Sequence, residues 1–156
     1  MEIQKQFLRK GRDYNRSGAQ LRPKLIGLYE LKDNLPNMLA SNVVSHQDEG
    51  ITTVFHFVVD GKGNVIQAVP LTEKARFMPT YYMNELVSIL VVPSNVDGSL
   101  SDKQYESLVE LVKYIKVTCG LKDVKELNMR CFSDPDKFNE FISSTEYTII
   151  ANEVFL

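Results

Sequence analysis

The stretch that decides the fold is residues 54–71, which read VFHFVVDGKGNVIQAVPL. Two runs rich in β-branched and aromatic residues flank the tetrapeptide DGKG at residues 60–63. Glycines at the second and fourth positions of this tetrapeptide permit the positive φ values that a hairpin turn needs. The stretch therefore predicts a β-hairpin.

Strand and helix patterns alternate on both sides of this hairpin. Before it, the apolar run of residues 25–30 follows Pro23 and predicts a buried strand. A helix is predicted next, because apolar residues then recur at helical spacing; they are Leu35, Met38, Leu39 and Val43. After the hairpin, residues 86–93 (LVSILVVP) have the continuous branched apolar character of a strand covered on both faces. We expect this strand in the centre of the sheet.

The clearest helix signal follows that strand. Ser101 and Gln104 have the spacing of a capping box, and Gly120 can end the helix in the left-handed conformation. Between them lies an apolar stripe at helical spacing, formed by Tyr105, Leu108, Val109, Leu111, Val112 and Ile115. These residues predict an amphipathic helix that packs on the sheet.

The C-terminal part of the chain predicts one more helix and one more strand. Asp134 and Pro135 can serve as the N-cap and first residue of a helix with Phe138, Phe141 and Ile142 facing inward. Residues 145–156 are β-prone, and we expect them to add to an edge of the chain's own sheet, with a partner's sheet as the alternative. The whole pattern predicts a single α/β domain with a central mixed β-sheet flanked by helices.

Length and charge limit the classes of function. A chain of 156 residues with 44% hydrophobic residues can fold as one domain, and its net charge of −2 gives no reason to expect a nucleic acid or an anionic membrane as partner. Residues 1–24 carry seven basic and two acidic side chains, which predicts a basic arm that is solvated or contacts an acidic partner. The absence of a signal peptide or spanning segment predicts a cytoplasmic protein.

The histidines and cysteines do not form a recognisable site. Cys119 and Cys131 are interpreted as ordinary, partly buried thiols. His56 is predicted to be a hydrogen-bonded core residue on the strand face opposite Phe55, and His46 to lie in an exposed loop. A relocated zinc site using both histidines, Cys131 and Asp134 has suitable ligand types but no supporting spacing. A Cys131 nucleophile with His56 as its base lacks an orienting group.

Three blocks of the chain resemble the zinc amidases of phage endolysins, the N-acetylmuramoyl-L-alanine amidases, which are relatives of peptidoglycan recognition proteins. They are residues 15–30, residues 54–77 with the hairpin, and residues 84–115, and the resemblance extends over residues 15–141. It implies a groove on the central sheet that binds the stem peptide and lactyl-muramoyl part of peptidoglycan. It also implies a zinc ion, held by two His and one Cys or Asp, that activates water against the amide bond.

The residues that this chemistry requires are replaced at the matching positions. Tyr29 stands where the family's Pro-Lys-Tyr-Ile-Val-Ile-His-Glu pattern has its first zinc ligand, and Val91 stands where the Asn-x-x-Ser-Ile-Gly-Ile-Glu motif has its catalytic acid. The second histidine falls on Leu127 or Asn128. Asp134 matches the last ligand, but one carboxylate alone cannot hold zinc. The resemblance therefore implies an inactive relative without zinc, with a 25–144 amidase-like domain between the basic arm and the 145–156 tail.

The groove positions are also altered. Phe55 and Phe77 occupy positions that line the groove in many family members, and Arg76 is next to the second of them. Apolar residues at these places predict a groove that is filled from within or reused for a dry protein contact. Tyr81 and Tyr82 are of the type that dominates protein contacts, with core packing as the alternative.

The function predicted from these observations is stoichiometric protein binding by a catalytically inactive phage or prophage protein. It would be a virion component, or a regulator of a cytoplasmic enzyme in an infected or lysogenic bacterium. One alternative is a peptidoglycan-binding module that does not cleave, and another is an amidase with a displaced metal site. Neither a membrane nor a nucleic acid is expected as partner.

Overall fold

The computed structural model describes residues 2–8, 20–31, 39–47, 54–75, 85–92, 94, 100–121 and 149–154. These residues form six strands and two helices in the order β1 (Ile3–Lys5), β2 (Leu25–Leu31), α1 (Ala40–Gln47), β3 (Phe57–Val59), β4 (Val65–Gln67), β5 (Leu86–Val91), α2 (Asp102–Cys119) and β6 (Ile149–Val154). Strands and helices interleave as the sequence predicts.

All six strands belong to one sheet in the order β1-β4-β3-β5-β2-β6. The β3–β4 pair is antiparallel, and the other four pairs, β1–β4, β3–β5, β2–β5 and β2–β6, are parallel. This arrangement is a mixed sheet with helices against it, so the predicted fold class is confirmed. No described helix is long and apolar enough to cross a membrane.

Strands β3 and β4 are the predicted hairpin. The side chain of Asp60 holds the turn, since its Oδ1 accepts hydrogen bonds from the backbone N–H groups of Lys62 (2.9 Å) and Asn64 (3.0 Å). Gly63 has a φ of +80°, which favours glycine. The turn also touches α2: the Ser107 hydroxyl donates to the Gly63 carbonyl at 2.7 Å, and a Cβ atom on Gly63 would lie 2.9 Å from Cγ of Lys103.

Strand β5 lies inside the sheet and is covered on both faces, which confirms the prediction for this segment. Its side chains alternate between two apolar clusters, and all six residues are fully buried. The α2-side core contains Val87, Ile89 and Val91 together with the buried stripe of α2. The α1-side core contains Leu86 and Leu90 together with the apolar residues of α1.

Helix α2 begins and ends where the sequence predicts. The Ser101 hydroxyl accepts a hydrogen bond from the Gln104 N–H at 3.2 Å, and Oε1 of Gln104 accepts one from the Ser101 N–H at 3.1 Å. Both halves of the capping box are therefore present. At the other end, Gly120 adopts the left-handed conformation with a φ of 67° and its N–H donates to the Lys116 carbonyl.

The N-terminal segment is not a separate arm over its described part, which corrects that prediction. Strand β1 pairs with β4 at one edge of the sheet, and Leu8 and Leu21 are buried in the two cores. The strand escaped prediction because it is only three residues long and is bordered by Glu2. Short edge strands tolerate such charges, since one of their sides faces solvent.

The C-terminal tail joins the opposite edge of the same sheet. Strand β6 pairs with β2 from Ile26 opposite Ile149 to Leu31 opposite Val154. The prediction that the tail adds to the chain's own sheet is confirmed for these residues. The predicted helix at residues 134–142 lies outside the described residues, as do Leu35 and Met38 of the first predicted helix.

Candidate functional site

The positions predicted for the first zinc ligand and the catalytic acid lie on neighbouring parallel strands. Tyr29 in β2 is in register with Leu90 in β5, and Glu30 is in register with Val91. Val91 is also in register with Val59 of β3 and is fully buried in the α2-side core. A buried isopropyl group can neither accept a proton nor bind a metal. The structure thus brings the two positions together, one register step apart.

Counting the acid's motif from a different residue moves this position by one. Counted from Ser88 instead of Asn84, the Ser-Ile-Gly-Ile-Glu part of the motif ends at Val92. Val92 is fully buried in the α1-side core, and its N–H donates to the Val59 carbonyl at 2.9 Å. The two counts lead to opposite faces of the sheet, but both lead to a buried valine.

Apart from Phe55, the remaining predicted site residues lie outside the described residues. They are Arg76, Phe77, Leu127, Asn128 and Asp134. At the three positions that the sequence resemblance matches to zinc ligands, the side chains are a phenol, an isobutyl or amide group, and a carboxylate, of which only the carboxylate is a usual zinc ligand. This donor set does not fit a catalytic zinc ion. Within the described ranges, no three His, Cys, Asp or Glu side chains are grouped closely enough to hold a metal.

Phe55 does not line an open groove. Its ring is fully buried in the α1-side core, which favours filling from within over a dry contact at this position. The prediction that it lies opposite His56 rests on strand alternation, which does not apply to these two residues because β3 begins only at Phe57. Regular alternation starts there: Phe57 packs in the α2-side core and Val58 in the α1-side core.

His56 is a buried, fully hydrogen-bonded residue, as the sequence predicts. Its Nε2 lies 2.7 Å from the Glu73 carbonyl, and its Nδ1 accepts a hydrogen bond from the Ser88 N–H at 3.0 Å. The Ser88 hydroxyl accepts the His56 backbone N–H at 3.2 Å and lies 3.2 Å from Nδ1. These partners require the neutral ring with its proton on Nε2. Sequence reasoning missed both partners, because neither belongs to a local motif.

Burial lowers the pKa of His56 from 6.5 to about 4, and the hydrogen bond to the Glu73 carbonyl opposes this shift. The imidazole is therefore neutral at pH 7. With both nitrogens occupied and no exposed surface, this histidine cannot serve as a metal ligand or as the base of a cysteine nucleophile. Both the relocated zinc site and the Cys131 nucleophile considered from the sequence would need His56 in such a role.

The side chain of Gln104 in α2 hydrogen-bonds to the backbone at the carboxyl ends of β3 and β5. Its Nε2 donates to the Val92 carbonyl at 2.7 Å and to the Asp60 carbonyl at 3.0 Å, while its Oε1 also accepts the Ser94 N–H at 3.1 Å. The side chain is fully buried. The capping box predicted the contact within the helix but gave no sign of these contacts to the sheet.

Two other chemical candidates have ordinary surroundings. Cys119 at the end of α2 is a free, partly buried thiol whose pKa is raised by burial, as predicted for a structural cysteine. His46 belongs to α1 instead of the predicted loop. Cys131 lies outside the described residues.

Solved structures share this fold along nearly the whole chain. A mutant endolysin from Bacillus subtilis matches with a TM-score of 0.71 at 18% identity, over 93% of this chain and 99% of its own. The N-acetylmuramoyl-L-alanine amidase LysC from Clostridium intestinale URNW matches with a TM-score of 0.69 at 16% identity, over 95% and 99%. The Staphylococcus aureus hydrolase AmiA, solved in complex with its ligand, matches with a TM-score of 0.64 at 12% identity, over 97% and 65%.

No protein-family model matches the sequence, and no curated protein matches it. The structural matches show that the chain has the fold of endolysins and N-acetylmuramoyl-L-alanine amidases, as the sequence resemblance implies. Their sequence identities to this chain are low and establish the fold alone.

Proposed function

We propose that this chain, which has the amidase fold, does not carry out amidase chemistry and acts by stoichiometric binding to a protein. The observation that carries the proposal is that the two residues which the motif can match to the catalytic acid, Val91 and Val92, are both buried valines. General acid–base catalysis needs a titratable group within hydrogen-bond reach of the reacting atoms. Val91 and Val92 supply none.

The metal positions support the same proposal. A catalytic zinc ion needs three protein ligands and one open position. Tyr29, Leu127 and Asp134 at the matching positions offer one usual ligand. We therefore expect the purified protein to bind no stoichiometric zinc and to release no peptide from peptidoglycan.

The retained scaffold favours binding as the remaining role. Apolar side chains pack against both faces of β5, and the ring of Phe55 is buried in the α1-side core. A protein partner is favoured over peptidoglycan because a groove that has exchanged polar for apolar residues has lost the groups that hydrogen-bond a muropeptide. The partner would be a virion protein or a phage or host enzyme.

A second candidate function is binding of peptidoglycan without cleavage. It is favoured by the similarity of fold, over 97% of this chain, to a hydrolase that was solved with its ligand. This function would need polar groups in the groove, whereas the resemblance places Phe55 and Phe77 at groove positions.

Affinity purification from infected or lysogenic cells tests the first candidate. We expect one defined protein at a near-equal molar ratio. A variant in which Arg9, Lys10 and Arg12 are replaced by Gln asks whether the basic segment makes the contact. Lys113→Gln, on the exposed surface of α2, controls for the loss of a single positive charge elsewhere. A protein that elutes alone and sediments with purified cell walls would establish the second candidate instead.

Elemental analysis and a peptidoglycan-release assay test the loss of chemistry directly. The catalytic domain of an active endolysin serves as the positive control in both measurements. One zinc per chain, or peptide release that a chelator abolishes, would show a working amidase with a displaced metal site. Without a bound metal, a chelator leaves the melting temperature unchanged, since nothing that binds only the folded state is removed.

A further inference from the structure

We propose that the groove between α2 and the edge strand β1 is a docking surface for a helix of the protein partner, and that this helix carries a lysine or arginine at one end of an apolar stripe. The inference rests on the proposed binding function, and it adds the surface of the contact and the chemistry of the occupant. It is carried by a partly exposed edge of the sheet, a group of exposed apolar side chains and an adjoining acidic cavity.

The edge of the sheet at β1 is only partly covered on the α2 side. The buried stripe of α2 packs on the central strands, among them β3 and β5, and β1 is the outermost strand beyond β4. Ile3 of β1 reaches the α2-side core and is partly buried, whereas Lys5, two residues later, is exposed. Strand β4 lies between, with Val65 buried in the same core. A groove therefore runs between α2 and β1 on this face of the sheet.

An acidic cavity of about 190 Å³ lies at one end of the groove, between the start of β1, the tip of the hairpin and α2. Glu2, Ser107 and Glu110 are among the residues that line it. Of the described lining residues, two carry carboxylates and none is basic. A lysine or arginine is the side chain that complements such a lining, because charge-assisted hydrogen bonds to carboxylates are stronger than those between neutral groups.

The helix side of the groove is apolar next to this cavity. Tyr114 lies four residues after Glu110, and Val117 lies three residues after Tyr114, so the three share one face of α2. Tyr114 is 39% exposed and Val117 is 83% exposed. Exposed apolar side chains that are grouped in this way indicate a contact surface, whereas scattered ones do not.

Phe7 supplies an exposed apolar side chain on the strand side of the groove. The backbone around it stays paired with the neighbouring strand, since the N–H groups of Gln6 and Leu8 donate to carbonyls at and just after the end of β4, both at 2.9 Å. The Gln6 side chain donates to a carbonyl of α1, and Leu8 is buried in the α1-side core. In extended backbone the residue between them points to the opposite face, which is the α2 side. Phe7 is 48% exposed.

The spacing of these features suits a helix. The stripe from Glu110 to Val117 spans two turns of α2, which is roughly 10 Å. A partner helix packed alongside α2 presents side chains at the same spacing of three and four residues, so its basic residue can enter the cavity while residues further along cover Tyr114 and Val117. A strand is a poorer occupant, because β1 has only three residues and offers few backbone groups to pair with.

The affinity of surface variants for the copurified partner tests the docking surface. Glu110→Lys puts a like charge at the cavity and should weaken binding by more than about tenfold. Tyr114→Ser combined with Val117→Ser should cause a similar loss. Glu106→Lys makes the same charge change one turn earlier, at an exposed position that does not line the cavity, and should stay within about twofold. Thermal unfolding checks that each variant folds, and Glu110→Gln, which only removes the charge, serves if the lysine variant does not.

Photo-cross-linking identifies the occupant directly. A photoreactive amino acid in place of Val117 in the full chain should link to one segment of the partner, which mass spectrometry locates. We expect a helical segment with a lysine or arginine about two turns from the linked residue, since Glu110 lies two turns from Val117. Replacing that basic residue of the partner by glutamate should restore the affinity for Glu110→Lys, which would show that the two side chains are in contact.

The possible failures are distinguishable. If no protein copurifies, the proposed binding function is wrong, and the docking surface is wrong with it. If a partner copurifies but binds Glu110→Lys and Glu106→Lys with equal affinity, or does not cross-link to position 117, the binding function stands and this surface is wrong. Cross-linking to a strand, or to a helix without a basic residue at this spacing, overturns the assignment of the occupant.

Discussion

His56 and Gln104 are two fully buried polar side chains that do similar structural work at different ends of the sheet. His56 joins β5, the start of the hairpin and the turn at Glu73. Gln104 joins α2 to the carboxyl ends of β3 and β5. Both have all their main hydrogen-bonding positions occupied, which is what permits polar groups to be buried.

The two residues differ in what a proton does to them. An amide keeps the same donors and acceptors at every accessible pH, whereas an imidazole changes one acceptor into a donor when it is protonated. Both side chains are equally buried and fully hydrogen-bonded. The hydrogen bonds of Gln104 are therefore independent of pH, whereas those of His56 depend on it. The difference in pH dependence lies in the chemistry of the side chain.

The largest loss of stability is expected when a charged side chain replaces Phe55 in the α1-side core. Phe55→Asp places a carboxylate among apolar side chains with no partner prepared for it, and should destabilise the fold by more than about 3 kcal/mol at pH 7. Phe55→Leu, which loses volume but gains no charge, should cost about 1.5 kcal/mol. Urea unfolding of both variants measures the difference; equal losses would show that position 55 is open to solvent.

The pH dependence of stability comes next in size. Because the pKa of His56 is lowered on folding, its neutral form contributes fully above pH 6.5, and that contribution is lost as the pH falls towards 4. We expect the loss between pH 7 and pH 4 to be about 3 kcal/mol greater in the unmodified protein than in His56→Gln. Parallel pH profiles for the two proteins would remove His56 as the cause.

Gln104→Leu should cost about 2 kcal/mol, because it leaves the carbonyls of Asp60 and Val92 and the N–H of Ser94 without their partner. The loss should be the same at pH 7 and pH 5, in contrast to the effect of His56. Glu106→Ala, an exposed position on the same helix, serves as the control and should stay within about 0.5 kcal/mol. A pH-dependent loss in Gln104→Leu would break the contrast between the two junctions.

The smallest effect is expected at the helix cap beside Gln104. Ser101→Ala removes the hydroxyl that accepts the Gln104 N–H and should cost about 1 kcal/mol. Ser101→Asp keeps an acceptor at the cap and should restore most of the loss, as thermal unfolding can show. Failure of the aspartate to restore stability would mean that the hydroxyl acts chiefly through its contact with the Gly61 carbonyl.

Local patterns were enough to predict the elements whose signals are local. The hairpin, β5 and α2 follow from turn glycines, a continuous apolar run, and a capping box with an apolar stripe, and each is present in the structure. The amidase resemblance, drawn from the order of these blocks, predicted the fold correctly. Strand β1 was missed because three residues at a sheet edge carry too little apolar pattern to be seen.

The candidate site was harder to predict because single-residue offsets matter there. A shift of one position between Val91 and Val92 moves the acid's place from one face of the sheet to the other. The alternation of Phe55 and His56 could not be relied on for a similar reason, since the strand begins two residues after Phe55. The partners of His56 are contributed by distant parts of the chain, so spacing along the sequence could not reveal them.

The close approach of Gly63 to α2 limits how this domain can be re-engineered. Hairpin tips are usually the first choice for inserting an epitope or a fluorescent reporter, because most of them face solvent and tolerate extra length. Here the tip contacts α2: the Gly63 carbonyl accepts a hydrogen bond from the Ser107 hydroxyl, and the side chain of Lys103 fills the space beside the Gly63 Cα. A tag inserted between residues 60 and 64 would lift the hairpin off the helix, so this tip is a poor site for labelling despite its position in a turn.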